Sequence, residues 1–572
     1  MARSNVLIIG GGPAGSVAAL TLLRLGHDVT IFEKEVFPRY RIGESFLPGT
    51  MSIFNRLGLQ PMIDAAGFTK KPSATFLWGR DQAPWTFSFT TPKSAAEWIF
   101  DHAIQVKREE FDHLLLNEAG RRGAKVLEGC AVTKVNLDDP DGVVLETRQG
   151  EKTSRVSADY VIDASGAGSI VAKQLGIRRY DAFYRNLAVW SYFDCPDRFT
   201  GDLRGTTFSI TFEDGWVWMI PLKGDLYSVG VIVDQSKAVD LQAQGTEAFY
   251  ETTLAKCSRA MEILGDSKRV DSVRVVRDWS YDTRLFSEGR FFLSGDSACF
   301  TDPLFSQGVH LATQSAVCAA AAIDRLSRHP DERDRVHDWY GKCYGETYEQ
   351  YHEFLASFYT FASFTEPNSR FWNRRRIVES DDDRFERRRW FERLSAKAEG
   401  GGGWEISDFR DRASTMIALG RHQRQALSDE FSDGELIPAR LGWISRFTKQ
   451  LTSIKKLKWN GEQVLLRDYY KVNPQSFVLE PRQILANESG RMMTKYTADA
   501  RVRTIFADLL AEPFDYRTLI RRFGDIGLGD TASQMIIRLF EAGLLSGFDA
   551  SDRPVHIQDR LRFDGVGVEY EV

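Results

Sequence analysis

The run Gly10-Gly11-Gly12-Pro13-Ala14-Gly15 constrains this chain more than any other feature. Val6 to Ile9 before it is a short apolar stretch of the kind that forms a buried strand. Ser16 to Leu25 after it reads as a helix, and His27 to Phe32 as a second strand ending at Glu33. Strand, glycine turn, helix, strand and acid in that order make the βαβ dinucleotide fingerprint. Gly10 permits the tight turn, Gly12 lets backbone approach a pyrophosphate, and Gly15 lets the helix pack on the strand. The helix N-terminus adds free N–H groups and a positive dipole end. Glu33, 23 positions beyond Gly10, stands where a carboxylate can hold a ribose hydroxyl.

A length of 572 residues, 43% of them hydrophobic, predicts more than one domain and ample core. With 74 basic and 79 acidic residues the net charge is -5, which gives no basic excess for a general nucleic-acid or anionic-membrane binder. The cysteines Cys130, Cys195, Cys257, Cys299, Cys318 and Cys343 are scattered and form no CxxC pair. They read as reduced core thiols of a cytoplasmic protein rather than zinc ligands or disulfides, so no metal is expected. The apolar run within Met1 to Gly12 is too short for a signal peptide. No apolar run reaches the roughly 18 residues that span a bilayer.

The fingerprint does not choose between NAD and FAD. Val106-Lys107-Arg108-Glu109-Glu110-Phe111-Asp112 opens a helix, and Phe292-Leu293-Ser294-Gly295-Asp296-Ser297-Ala298 reads as strand then turn. Both resemble segments of the FAD enzymes that include aromatic hydroxylases. By that resemblance Arg108 lies along FAD and Asp296 holds the ribityl chain. Asp163-Ala164-Ser165-Gly166 after Tyr160 to Ile162 resembles the third flavin segment, with its usual acid–glycine pair altered.

Trp216-Val217-Trp218-Met219-Ile220-Pro221 follows the turn Asp214-Gly215. Alternation puts both indoles on one face of a strand, which Pro221 ends or edges. Alone, the pattern is two core indoles. Inside an FAD frame, WxWxIP resembles the flavin-dependent halogenases. That resemblance implies an enzyme that uses reduced flavin, O2 and chloride, by way of a flavin C4a-hydroperoxide and hypochlorous acid. Indoles beside the flavin would exclude water and keep substrate away from the hydroperoxide, a contact that a hydroxylase needs and a halogenase prevents.

Gly67-Phe68-Thr69-Lys70-Lys71 resembles the family segment in which a lysine follows Gly-Phe after two residues; Lys71 fits, and Lys70 fits only with a one-residue slip. Ser73 stands where the family often has glycine. An amine suits the chemistry, since it can hydrogen-bond hypochlorous acid or carry chlorine as a chloramine. A neighbouring lysine and a dry pocket would both lower its pKa. A solvated loop lysine is the bland alternative. Asp302-Pro303-Leu304-Phe305-Ser306-Gln307-Gly308-Val309 resembles the family's D-P-x-F-S-x-G-V run and precedes an Ala-rich helix, Leu311 to Leu326. Pro303 stiffens the turn, and Gly308 permits close approach to a ring. The helix N-terminus would face the flavin. Backbone N–H groups near Gln307 and Gly308 are natural chloride donors.

Tyr40 to Ser45, Lys71 to Gly79, Asp278 to Thr283 and Gly565 to Val572 resemble a branch of this family that acts on acyl substrates in antibiotic biosynthesis. The likeness runs the length of the chain. It implies further FAD contacts at Ala14, Arg41, Ser45 and Val309. It implies an aspartate ester between Asp278 and the flavin 8-methyl carbon, although residue type alone suggests only a strand cap or a hydrogen bond to a neighbour. It also implies an enolisable acyl group on a carrier protein or coenzyme A, and a separate flavin reductase, since no second GxGxxG supplies an NADH site. Glu44 is either a proton acceptor for the substrate or a structural acid beside FAD.

The expected architecture is α/β: a Rossmann-type FAD-binding module over 1–330, with an antiparallel substrate-side sheet within about 70–105 and 180–275. An aromatic-rich helical segment covers 331–399. Beyond a flexible joint at Gly400 to Gly403, a mainly helical region spans 404–572, with a winged-helix-like end near 500–550. Its helices would be Phe514 to Phe523 and Ala532 to Ala542. The second carries only Arg538 as a basic residue, unlike a DNA-reading helix. An NADPH-using FAD monooxygenase is the rival enzyme, and a flavin-containing DNA-binding regulator the rival from another class.

Overall fold

A computed structural model describes residues 3–78, 82, 84–89, 100–196, 199–365, 368–375, 450, 453–459, 465–486, 500–527, 545–555, 562–563 and 568–569. The chain divides into two compact units, the first comprising Met1–Trp390 together with Gly401–Ala418 and Val472–Glu480.

In the first unit, the strands Phe291–Leu293, Tyr160–Asp163, Asn5–Ile9, Asp28–Phe32 and Lys125–Leu127 lie side by side and parallel, with Ser287–Glu288 antiparallel at one edge. Val6, Leu7 and Ile8 are fully buried, as parallel strands covered on both faces must be. Helix Pro13–Leu25 starts three residues before the predicted Ser16, because a proline at the first helical position costs no hydrogen bond. A Cβ at Gly15 would lie 1.8 Å from the Gly10 carbonyl oxygen, so only glycine lets this helix approach the strand.

The second sheet runs Lys268–Arg269, Arg178–Asp194, Leu226–Asp234, Gly215–Leu222, Thr207–Phe212, Ser73–Leu77 and Pro84–Ser88, and Arg274–Thr283 also pairs with Arg178–Asp194. All its described pairings are antiparallel except that between Thr207–Phe212 and Ser73–Leu77. One face carries Val189, Ile210, Val217, Met219, Val229 and Val231, which form a core with helices Thr246–Leu254 and Ser258–Leu264. Each such side chain contributes about 1.5–3 kcal/mol by burial. The other face carries the tryptophans. Pro221 stands one residue before the end of strand Gly215–Leu222, opposite Tyr227, in keeping with the expected strand end. The register with Thr207–Phe212 stops at Met219, so the missing N–H falls where no partner strand lies.

Helix Gly308–Arg328 extends beyond the predicted Leu311 to Leu326 at both ends and packs on helix Pro13–Leu25. Helix Arg333–Thr365 carries the aromatic stretch. Its described residues join the first unit, with Tyr340 and Tyr344 donating to the carbonyls of Leu293 and Gly295 at 2.7 and 2.9 Å. The side chains of Phe354, Phe361 and Phe364 lie outside the described residues, as do the joint 400–403, the helix expected over 532–542 and most of 565–572.

The second unit holds both helices and strands among its described residues. Its described residues include helices Ala500–Ala511 and Tyr516–Asp525, the second capped by Asp515, and a sheet of Lys456–Trp459, Leu545–Phe548 and Pro554–Val555. Trp459, Phe506 and Phe523 pack between them. All six cysteines are buried free thiols. Among the described residues no helix is long and apolar enough to cross a membrane, and no cluster of His, Cys, Asp and Glu could hold a metal.

Candidate active site

Strand Thr69–Lys71 separates the two candidate lysines: Lys70 is exposed, whereas Lys71 is 1% exposed. The Lys71 ammonium donates to the Phe46 carbonyl at 3.1 Å and to Ser306 Oγ at 3.3 Å, and lies 5.5 Å from the centre of the Phe89 ring. Burial lowers its pKa from 10.5 to about 7. The expected help from Lys70 is absent, because adjacent residues of a strand face opposite ways and desolvation alone acts. Ser73, at the family's glycine position, turns inward and donates to Thr206 at 2.9 Å.

Trp216 and Trp218 share a face, with ring centres 6.2 Å apart, and Trp190 from Arg178–Asp194 stands 6.3 Å from Trp218. Gly230 makes room for this wall, since a Cβ there would sit 2.1 Å from the Trp218 ring. Ile220 and Pro221 are buried in the same strand. The Trp216 indole donates to Tyr359 Oη at 2.7 Å, and Tyr359 donates to Asp302 Oδ2 at 2.6 Å. The tryptophan strand is thereby tied to the turn that starts helix Gly308–Arg328. In that turn Asp302 accepts the Leu304 N–H, Pro303 opens a single helical turn, and Ser306 takes the left-handed conformation at φ 59°. Gln307 Nε2 donates to the Asp302 carbonyl at 2.6 Å, while its buried Oε1 has no partner. The first-turn N–H groups that follow, from Gly308 and Val309, have no intrahelical acceptor. A Cβ at Gly308 would meet nothing within 4 Å, which leaves the open space that a planar ring against the backbone requires.

Asp278 is 3% exposed and neither carboxyl oxygen has a partner. The expectation of a strand cap therefore fails. Desolvation, and then Asp302, raise its pKa well above the usual carboxylate range. Asp296 is half-buried, and burial brings its carboxyl up to about 6 against the pull of Arg108 and Arg178.

A cleft is lined in part by Tyr40, Arg41, Glu44, Arg108, Tyr192 and Arg274. Arg108 grips Asp112 with two bonds of 2.8 and 2.9 Å and donates to the Ile42 carbonyl. Arg41 pairs with Glu35 at 2.6 Å. Ser45 Oγ lies 3.1 Å from Thr207 Oγ1. Glu33 accepts the N–H groups of Gly11 and Glu35 at 2.8 and 2.9 Å, next to the open side of the glycine turn. Ala14 is buried on helix Pro13–Leu25, 3.2 Å from where a Gly295 Cβ would stand, so the Gly-Asp turn and the fingerprint helix pack together. Glu44 accepts from Tyr192 at 2.7 Å, and burial raises its pKa to about 7. Ser228, the acceptor of the Trp218 indole N–H, also acts on the Glu44 carboxyl, and no contact between Glu44 and Lys71 is found among the described residues.

Sequence reasoning missed several members of the site. Asn186, Trp190 and Tyr192 alternate with the core residues Leu187, Val189 and Phe193 along one strand. That period of two was the available signal. Ser306, Asp302 and Tyr359 fall within recognisable motifs, but nothing local distinguishes them from packing residues.

Comparison with known proteins identifies the family. The family described as "FAD binding domain" matches residues 3–338, and that described as "Chloramphenicol halogenase CmlS C-terminal domain" matches residues 443–560. The crystal structure of CmlS, a flavin-dependent halogenase, superposes with a TM-score of 0.84 at 62% identity, covering 99% of this chain and 100% of that one. Tryptophan 2-halogenase of Chondromyces crocatus is 31% identical over 66% of this chain and 72% of its own length. The 1H-pyrrole-2-carbonyl-[peptidyl-carrier protein] chlorinase of Pseudomonas fluorescens is 29% identical over 62% of this chain and 83% of its own. With an FAD domain over most of the first unit and similarity to CmlS from end to end, this chain belongs to the flavin-dependent halogenases.

Proposed function

We propose that this halogenase chlorinates the activated carbon of an enolisable acyl group, held as a carrier-protein or coenzyme A thioester, in antibiotic biosynthesis. The observation that carries the reading is a sealed amine of lowered pKa, Lys71, held between the Phe46 carbonyl and Ser306 at the turn before helix Gly308–Arg328. Similarity to the 1H-pyrrole-2-carbonyl-[peptidyl-carrier protein] chlorinase, whose name gives it an acyl group on a carrier protein, supports the acyl reading.

The residues fit FAD. The glycine turn and helix N-terminus suit a pyrophosphate, Glu33 a ribose, Arg41, Ser45 and Arg108 the stretch along the cleft, and Asp296 the ribityl chain. Pro303, Gly308 and Val309 form the turn against the ring. Reduced FAD, supplied or recharged by a separate reductase, would with O2 and chloride provide an oxidised chlorine equivalent, hypochlorous acid. The N–H groups at Gln307 and Gly308 hold chloride by charge–dipole attraction. Trp216 and Trp218 exclude water and bulky substrate. Lys71 orients hypochlorous acid or is chlorinated at Nζ, for which its neutral form near pH 7 is required. Glu44, ionising at about 7, takes the proton whose loss makes the acyl carbon nucleophilic. A thioester provides that acidity, as an unactivated methyl group does not. Asp278, buried with two unsatisfied oxygens, is the anchor for a covalent ester to FAD.

The substrate class is tested by offering acetoacetyl thioesters, tryptophan and a simple phenol to protein, FAD, reductase, NADH and chloride. Chlorinated thioester is expected; chlorination of the aromatic substrates alone would overturn the acyl reading.

A further inference from the structure

The indole N–H of Trp216 can only donate, so Tyr359 Oη is its acceptor, at 2.7 Å. The single phenolic proton of Tyr359 then points to Asp302 Oδ2 at 2.6 Å, where the Asn186 amide also bonds at 3.0 Å. The chain from indole to carboxyl therefore has one sense, and each bond polarises the next. Trp216, Tyr359 and Asp302 are all buried, and the rings of Tyr184, Phe371 and Trp372 pack around Tyr359 and fix its hydroxyl in place. At Asp302 the chain meets the turn before helix Gly308–Arg328. The other carboxyl oxygen accepts the Leu304 N–H at 3.1 Å, the Asp302 carbonyl accepts Gln307 Nε2 at 2.6 Å, and the Asp302 N–H donates to Ser280 Oγ at 3.1 Å. Ser306 lies between the residues so held. It is a non-glycine residue at φ 59°, a conformation that persists only where its surroundings impose it. Its Oγ accepts from the Lys71 ammonium at 3.3 Å. The first tryptophan of the motif is thus connected, through Tyr359 and Asp302, to the hydroxyl that faces Lys71.

We propose that Trp216 and Tyr359 are positioning residues for Lys71: their hydrogen bonds fix Asp302, hold Ser306 in its left-handed turn and so keep the Lys71 amine where it meets oxidised chlorine. This rests on the role of Lys71 proposed above. It gives the first tryptophan of the motif a task that bulk alone does not perform. A phenylalanine at 216 would fill most of the same space and exclude water, yet it has no N–H to hold Tyr359. The task is shared between two distant segments, the strand Gly215–Leu222 and the aromatic helix Arg333–Thr365. When the turn loosens, Ser306 no longer holds the amine, and hypochlorous acid leaves the pocket before it is transferred.

The test measures two products in one reaction: the chlorinated acceptor, and the N-chlorotaurine that forms when hypochlorous acid escapes to taurine in solution. Full-length holoenzyme turns over with reductase, NADH, O2, chloride and catalase. The acceptor is whichever of the acetoacetyl thioester, tryptophan and the phenol wild type chlorinates. The ratio of escaped to transferred chlorine does not depend on how much enzyme is folded. Tyr359→Phe should raise that ratio about tenfold, the effect of one buried hydrogen bond, and Trp216→Phe should raise it severalfold. Ser306→Gly removes the hydroxyl while glycine keeps the left-handed backbone without strain. In that background Tyr359→Phe should add nothing. A lower total rate at an unchanged ratio in Tyr359→Phe marks a merely structural role and overturns the proposal, as does a full further increase in the Ser306→Gly background. Should Tyr359→Phe not fold, an unchanged ratio in Trp216→Phe overturns it. Lys71→Ala should raise the ratio at least as far as Tyr359→Phe. If it does not, the role of Lys71 falls and this inference with it, and the Lys71→Ala arm alone identifies that outcome.

Discussion

Replacing Gly230 by alanine perturbs the tryptophan wall without touching a polar group. Gly230 is the cross-strand partner of both Trp218 and Trp190. Its added methyl would lie 2.1, 2.3 and 2.4 Å from three ring atoms of Trp218, far inside contact distance. An indole is rigid, and this one is bounded by Trp190 and Trp216 and bonded to Ser228 Oγ at 3.3 Å. It must move as a body. Overpacking costs about 1–3 kcal/mol, and the lost indole hydrogen bond about 1 kcal/mol more, so the variant should lose about 2–4 kcal/mol. Urea unfolding of the first unit, followed by tryptophan fluorescence, measures this, and product analysis should show more peroxide and less chlorinated product per NADH. In a Trp218→Phe background the shorter ring frees the space, and Gly230→Ala should cost less than about 1 kcal/mol. An equal cost in both backgrounds, or no cost in either, would refute the packing argument.

Other substitutions separate the remaining roles. Gly15→Ala must drive a Cβ into the Gly10 carbonyl and should abolish FAD binding, read by flavin content after gel filtration. Lys71 ionises at about 7 when folded and 10.5 when free, so between those values the unfolded chain binds the extra proton and stability rises with pH. Lys71→Met should remove that rise, measured as the difference in unfolding free energy between the two proteins across the window. Glu44→Gln should erase the increase of thioester chlorination as pH passes about 7, while an already enolised β-diketone is still chlorinated. Loss of both activities would return Glu44 to a structural role beside FAD.

The fingerprint strand, helix and acid were legible because each obeys a local rule of period, glycine placement or capping. The same holds for Lys71 and the paired tryptophans, whose motifs are contiguous. Gly230 and Asn186 were not, because what each does depends on a residue across a strand pairing that no local pattern specifies. Pro221 near its strand's end was legible, whereas the register that stops at Met219 and leaves that side of it without a paired strand was not. Glu44 and Lys71 were both expected at the reaction, but their partners are set by distant segments. Tyr192, from another strand, takes the Glu44 carboxyl, whereas the Phe46 carbonyl and Ser306 take Lys71.

The central claim is that chlorine reaches substrate through Lys71. It is tested most directly by mass spectrometry of an acetoacetyl thioester incubated with the protein, FAD, a flavin reductase, NADH, O2 and chloride, beside Lys71→Ala. A chlorine isotope pattern that requires both chloride and Lys71 is the expected result. Chlorinated product at an undiminished rate from Lys71→Ala, or an oxygenated product independent of chloride, would contradict the account.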